Sequence, residues 1–276
     1  MRETAYAKLN LALHVRAREP DGYHRLETLF AFCEDGDELS VAADDELELR
    51  IEGPFAADLA AGEDNLVLRA AEALRQVCSI TSGAALRLDK RLPVASGIGG
   101  GSADAAATLR LLCRFWSLRM SAPELHAVAA GLGADVPACL RSETVRGEGR
   151  GDRLSAAEND LAGAPVLLVN PGVAVSTPDV FRNWDGVDRG SLAATSARAA
   201  ALEGRNDLEA PATAVAPVIA DALHFLQSCD GVTVARMSGS GATCFALFER
   251  EADREAAADH ARRAHPDWWQ LASHLR

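Results

Sequence analysis

The chain has 276 residues, 48% hydrophobic and 25% charged, the balance of a folded protein long enough for one large domain or two ordinary ones. A net charge of -12 speaks against a nucleic-acid partner, whose binders present a basic face to the phosphates. Six scattered cysteines without zinc-like spacing predict reduced thiols, and the lack of an apolar run of about 18 residues predicts no membrane partner. The expectation is a cytoplasmic protein, monomeric or a weak homodimer. Only two of the 28 basic residues are lysine, Lys8 and Lys90. Lysine offers a compact point charge and a pKa that its surroundings can shift, so both positions are candidates for such a role, chance retention being the alternative.

In chain order, "AYAKLNLALHV" alternates: Ala7, Leu9, Leu11, Leu13 and Val15 fall on one face and Lys8, Asn10 and His14 on the other, which predicts a strand with one apolar and one polar face. "EPDGYHRL" predicts a hairpin tip with Asp21-Gly22 at its apex, and "ETLFAFCE", "DELSVAA" and "DELELRIEG" further strands. "DNLVLRAAEALRQVC" has helical spacing with Asp64 as its N-cap, and "AALRLDKRL" returns to strand alternation. Helices are expected from Ala103 to Trp116 and over "APELHAVAAGLG". A polar, turn-rich stretch near 150–163 divides the halves. The second half opens on the strand "APVLLVNPG" and continues with helical stretches at 191–204 and 211–228. "VARMSGSGATCFALFE" reads strand, glycine turn, strand; a polar helix at 251–264 and a C-terminal tail follow. This mixture predicts an α+β fold.

Four glycines fall within five residues, Gly97, Gly99, Gly100 and Gly101, directly before a helix. A segment without Cβ atoms lets backbone N–H groups crowd around a ligand, and at a helix start that ligand is usually an anion. Ser102 is an N-cap residue type and a candidate contact for phosphate or magnesium. The chain has no Gly-Lys pair for a Walker loop, and Ser102 stands where a dinucleotide fingerprint needs its third glycine. Asp135 precedes Val136-Pro137, an ordinary helix start when taken alone. Lys90 reads as a surface lysine or one reaching toward phosphate. Asp104, one turn into the helix, reads as solvating it, with a magnesium ligand as the alternative.

Together these residues resemble a known family. "PVASGIGGGSADAA" is similar to the P-x-x-x-G-L-G-S/G-S/G-S signature of the GHMP kinases, and "RMSGSGATCFALF" to their C-terminal glycine motif. "AKLNLALHVRAREPDGYHRLETLFAFCEDGDEL", "LGADVPACL", "VLLVNPGVAVSTPDVF" and "NDLE" resemble the branch that phosphorylates a cytidine-diphosphate-linked methylerythritol. The likeness runs in order from residue 5 to about 248. It implies a two-domain GHMP kinase fold (1–155, ATP-binding, and 156–276), with mixed sheets, helices packed on them and the active site between domains. It implies transfer of the ATP γ-phosphoryl to the 2-hydroxyl of 4-diphosphocytidyl-2-C-methyl-D-erythritol, in the non-mevalonate isoprenoid route, with Mg2+. The resemblance makes Asp135 the general base and Lys8 its electrostatic partner. It places ATP on Pro93, Val94, Ala95, Ser96, Gly97, Ile98, Gly99, Gly100, Gly101, Ser102 and Ala103. Tyr23, His24 and Phe181 are the implied cytidine contacts, with Asn10 and Thr177 as weaker substrate contacts. Ala103 departs from the pattern, since relatives often carry a second serine there. The alternatives are another small-alcohol kinase of the superfamily and a nucleotide sensor that performs no transfer.

Overall fold

The structure is a computed structural model and describes residues 1–62 and 64–276. Two long strands come first, β1 (Arg2–Arg18) and β2 (His24–Ala42), and they pair with each other. Each contributes to both of the compact units into which the chain divides. One unit comprises Met1–Ala7, Asp35–Val94 and Gly99–Ser142; the other comprises Lys8–Glu34, Ala95–Ile98 and Glu143–Arg276.

In the first unit, β4 (Ala84–Asp89) runs parallel to β3 (Leu47–Glu52) and antiparallel to the second half of β2, with Leu88 opposite Leu39 and Ile51. Leu39, Leu86 and Leu88 are buried at alternate positions, as a half-covered sheet requires. Four helices pack on one another: α1 (Leu66–Cys78), α2 (Gly100–Phe115), α3 (Ala122–Leu132) and α4 (Val136–Arg141). Ala103, Ala105, Ala106 and Ala107 are fully or almost fully buried on α2, and their small side chains let neighbours approach its axis closely. The N-cap of α1 is Asn65, which accepts from the Val67 N–H at 2.9 Å, and not Asp64. Helix α2 begins at Gly100, behind a left-handed Gly99, so Ser102 lies within the first turn and does not cap it. Glycine at 99 makes that earlier start accessible, and helix geometry then outcompetes a serine cap.

In the second unit, the first half of β2 pairs with β5 (Val145–Gly149), which forms a hairpin with β6 (Arg153–Ala156) at the edge of the stretch expected to divide the halves. A second, wholly antiparallel sheet has the order β10-β7-β9-β8, from β7 (Pro165–Asn170), β8 (Val232–Met237), β9 (Cys244–Phe248) and β10 (Trp269–His274). The C-terminal tail is therefore an edge strand: Leu271 pairs with Leu168. Helices α5 (Thr177–Arg182), α6 (Ala197–Glu203), α7 (Glu209–Val215), α8 (Val218–Gln227) and α9 (Glu251–Ala264) complete the unit. The helix expected at 211–228 is two helices, broken at Pro217, whose missing N–H cannot continue the ladder. Leu167, Val169, Ile219, Leu226, Ala246 and Phe248 form the centre of this unit's core. Both faces of β1 are buried here: Lys8 and Asn10 are as enclosed as Leu9 and Leu11. The alternation locates the polar face correctly, but that face is covered by protein.

Among the described residues no helix is long and apolar enough to cross a membrane. Among the described residues no two cysteines are joined in a disulfide.

Candidate active site

The glycine segment belongs partly to each unit. In the second unit, Ala95–Ile98 lies against the other glycine-rich turn, Met237–Thr243. The Ser238 hydroxyl donates to the Gly97 carbonyl at 3.0 Å, and the Thr243 N–H donates to the Ser96 carbonyl at 3.0 Å. Gly97 has φ of +79°, and a Cβ there would sit 2.4 Å from the Ser238 carbonyl oxygen. The two motifs are thus one packed structure. Asn206, from the "NDLE" motif, braces it by donating through Nδ2 to the Met237 and Gly239 carbonyls, both at 2.8 Å. Its neighbour Asp207 accepts from the Val15 N–H at 2.8 Å and so ties the same motif to β1.

Lys8 and Asn10 enter from β1. The Lys8 N–H donates to the Ile98 carbonyl at 3.0 Å, which fixes the strand against the glycine segment. Its ammonium donates to Asn10 Oδ1 at 2.9 Å and lies 4.9 Å from the centre of the Phe30 ring. Asn10 Nδ2 in turn donates to Thr28 Oγ1 at 2.8 Å, and the Thr28 hydroxyl donates to the Ala12 carbonyl at 2.6 Å. This chain of neutral dipoles fixes which way the Asn10 oxygen points, and hence where the Lys8 charge rests. Thr177, first residue of α5, shares a hydrogen bond with the Ser240 hydroxyl at 2.8 Å, which joins it to the second glycine turn.

In the first unit, α2 presents the amides of Gly100, Gly101 and Ser102 ahead of its first backbone bond, from the Ala103 N–H to the Gly99 carbonyl at 2.8 Å. Those amides and the positive end of the helix dipole favour an anion. Asp135 occupies the N-cap position of α4 in αR geometry and makes no side-chain cap bond. It is half-buried, and the helix start is supplied instead by Pro137 in the first turn.

The sequence does not mark Lys90 and Asp104 as buried, and both expectations are corrected. Lys90 is 1% exposed and Asp104 2%, and they form an ion pair at 2.7 Å within this unit. Asp104 therefore does not solvate its helix.

A third group surrounds the hairpin tip in the second unit. Tyr23 is exposed, with the Arg150 guanidinium 3.6 Å from its ring centre; Arg150 also pairs with Asp21 at 2.6 Å. His24 is buried, its ring centre 4.9 Å from that of Phe181 and edge-on to Trp184 at 5.7 Å. Burial, with help from Arg18, holds the His24 pKa below the ordinary histidine value, so the ring is neutral at pH 7. Its Nε2 is buried with no hydrogen-bond partner. An open pocket of about 490 Å³, lined among others by Tyr23, His24, Arg25, Arg150 and Arg153, adjoins it. Trp184 and Arg150 carry no signal in the sequence, because each lies far along the chain from the residue it contacts.

Comparison with known proteins places this geometry. Residues 65–143 match the GHMP kinases N terminal domain and residues 190–267 the GHMP kinases C terminal family. The chain is 58% identical to the 4-diphosphocytidyl-2-C-methyl-D-erythritol kinase of Rhizorhabdus wittichii, over 99% of this chain and 94% of that protein. It is 50% identical to the enzyme of that name from Sphingopyxis alaskensis, over 100% and 99%. Among solved structures, a 4-(cytidine 5'-diphospho)-2C-methyl-D-erythritol kinase superposes with a TM-score of 0.83 at 33% identity, covering 100% of this chain and 99% of the other. With both glycine motifs, the Lys8 strand and this degree of identity, the chain belongs to the 4-diphosphocytidyl-2-C-methyl-D-erythritol kinase family of the GHMP kinases and is a small-molecule kinase.

Proposed function

We propose that the chain transfers the γ-phosphoryl group of ATP to the 2-hydroxyl of 4-diphosphocytidyl-2-C-methyl-D-erythritol, in the non-mevalonate route to isoprenoid precursors, with residues 1–155 and 156–276 carrying its two family domains along the sequence while the compact units interleave. The observation that carries the choice of acceptor is His24. A neutral imidazole offers one donor and one acceptor. His24 holds an unpartnered Nε2 in a buried position beside Phe181 and next to an open pocket at the Tyr23 tip. That combination suits the hydrogen-bonding edge of a nucleobase, with Tyr23 and Phe181 as stacking faces.

The nucleotide's phosphates take the amides of Gly100, Gly101 and Ser102 within the Pro93–Ala103 segment. Asp135 accepts the proton of the 2-hydroxyl as its oxygen forms a bond to the γ-phosphorus. The bond from that phosphorus to the β–γ bridging oxygen breaks, and ADP leaves with the electron pair. Lys8 supplies positive charge for the developing alkoxide, held in place by Asn10. Thr177 and Asn10 position the acceptor. Among the described residues no three His, Cys, Asp or Glu side chains are grouped to hold a metal, and Asp104 is committed to Lys90. A magnesium ion that arrives with the nucleotide needs only one or two protein oxygens, and the half-buried Ser102 hydroxyl in the first turn of α2 fits that requirement. When bound, it neutralises phosphate charge.

The test is ADP release by the purified protein with ATP, magnesium and the cytidylylated acceptor, run beside mevalonate, homoserine and galactose. Turnover is expected with the first acceptor only. Asp135→Asn is expected to lower kcat by about 10²–10⁴, and His24→Ala to raise the acceptor KM without moving that of ATP. No ADP release above background with the cytidylylated acceptor sinks the reading; ATP binding without turnover on any alcohol would instead support a nucleotide sensor.

A further inference from the structure

We infer that Lys90, Asp37 and Asp104 form a buried clamp that closes the base of the glycine segment and sets its geometry for ATP. They are positioning residues that do not touch the reacting atoms. The inference rests on the reading that this segment holds the nucleotide.

Lys90 directly follows β4, the strand that leads into the segment, and Gly100 begins the helix that leads out of it. The Lys90 ammonium donates to Asp37 Oδ2 at 2.5 Å and to Asp104 Oδ2 at 2.7 Å. Asp37 Oδ1 accepts from the Arg91 N–H at 2.6 Å and the Leu92 N–H at 2.8 Å, so its carboxylate holds the first two residues past Lys90 as well. A single ammonium therefore joins β2, the end of β4 and the first turns of α2.

The identity of residue 90 follows from the space available. A Cβ added to Gly100 would lie 3.1 Å from Lys90 Nζ, so the ammonium lies directly beneath the helix backbone. The broad guanidinium fork does not fit where a compact ammonium just does. In a chain that uses arginine for almost every other cation, lysine is kept here for its size.

The arrangement is costly, which is why a purpose is needed. Two carboxylates share one ammonium at positions 0–2% exposed, and Asp104 Oδ1 has no partner. Burial, reinforced by the charge of Asp37 and opposed by Lys90, pushes the Asp104 carboxyl up to about 7. Buried ion groups contribute little net stability compared with apolar packing, but they fix the relative placement of the elements that carry them. Here those elements are the two ends of the phosphate segment.

The experiment compares the full chain with Asp104→Asn and Lys90→Arg, and measures equilibrium ATP affinity, KM for both substrates, kcat and the unfolding temperature. The carboxamide that Asp104→Asn introduces can still accept from Lys90, so this variant is expected to fold with an unfolding temperature near that of the parent. ATP Kd and KM are expected to rise by about tenfold in both variants, with kcat and the acceptor KM within about twofold of the parent. A folded Asp104→Asn variant with parental ATP affinity overturns the clamp. Where Asp104→Asn fails to fold, Lys90→Arg reads the same quantity. If both fail, the three residues are a stability element and the positioning role is overturned. ATP titration needs no acceptor alcohol, so an error in the proposed acceptor leaves this outcome readable.

Discussion

The glycine run from Gly97 to Gly101 is uniform in composition but not in cause. At Gly97 a Cβ would strike backbone, the Ser238 carbonyl at 2.4 Å and the Gly241 N–H and carbonyl at 2.8 Å, in a left-handed conformation. At Gly101 a Cβ would meet only Leu66 Cδ1 at 3.5 Å, an ordinary contact, and the residue is exposed at a helix start. The first glycine is demanded by the protein's own packing. Nothing among the described residues demands the second, and under the proposed function its small size leaves room for the nucleotide. A glycine-rich motif can thus combine two requirements that composition alone does not separate.

The strongest way to break this contrast is Gly97→Ala. The added methyl meets rigid backbone and a strained φ, so a loss of about 3 kcal/mol or more is expected, read as a fall of roughly 10 °C in the unfolding temperature or as insoluble protein. Parental stability would show that the two glycine turns can separate at little cost. Gly101→Ala sharpens the other side. Alanine is the better helix former by about 1 kcal/mol, so the unfolding temperature is expected to hold or rise while ATP Kd rises about tenfold through crowding of the phosphate approach. Unchanged ATP affinity would mean that the first turn of α2 does not face the nucleotide.

The smallest effect is electrostatic. Asp104 holds its proton to about pH 7 in the folded state, against an ordinary value of 3.8. A raised carboxyl pKa means that the folded state binds the proton more tightly. This site's contribution is therefore fully present below pH 3.8, is lost as pH rises toward 7, and is flat above it. Lys90 shifts upward from 10.5, so its own contribution does not change in that window. Between about pH 5 and 8 the parent is expected to lose about 5 °C more in unfolding temperature than Asp104→Asn. Equal slopes in the two proteins would mean that Asp104 is ionised throughout.

Much of this is legible in the residues themselves. The alternation around Lys8, the period of α1 and the hairpin tip at Asp21-Gly22 are local patterns, and local patterns survive in the fold. The start of α2 lies three residues before the expected one because a serine cap and a left-handed glycine compete for the same turn, and the glycine wins. Long-range partners leave no trace. Asp37 lies 53 residues from Lys90, and nothing in the "DKRLP" stretch indicates that two carboxylates await its ammonium. For the same reason the strand β10 reads as a tail: its pairing partner, β7, is set by the sheet and not by its own sequence. His24 is legible as a motif, but its unpartnered nitrogen belongs to the packing of Phe181 and Trp184 around it.

The passage of β1 and β2 through both units has a consequence for the nascent chain. Neither unit is a continuous stretch of sequence, so no single cut of the gene yields either one whole. The first unit is complete once Ser142 has been made. Lys8–Glu34 must wait for partners translated last, including Arg205, Asp207 and Ser238, which bond to β1. Throughout that interval a strand destined for burial on both faces stays without its cover, at the stage when newly made chains are most prone to associate wrongly. Truncations near the C-terminus are therefore expected to act first on the solubility of the N-terminal strand, at the opposite end of the chain.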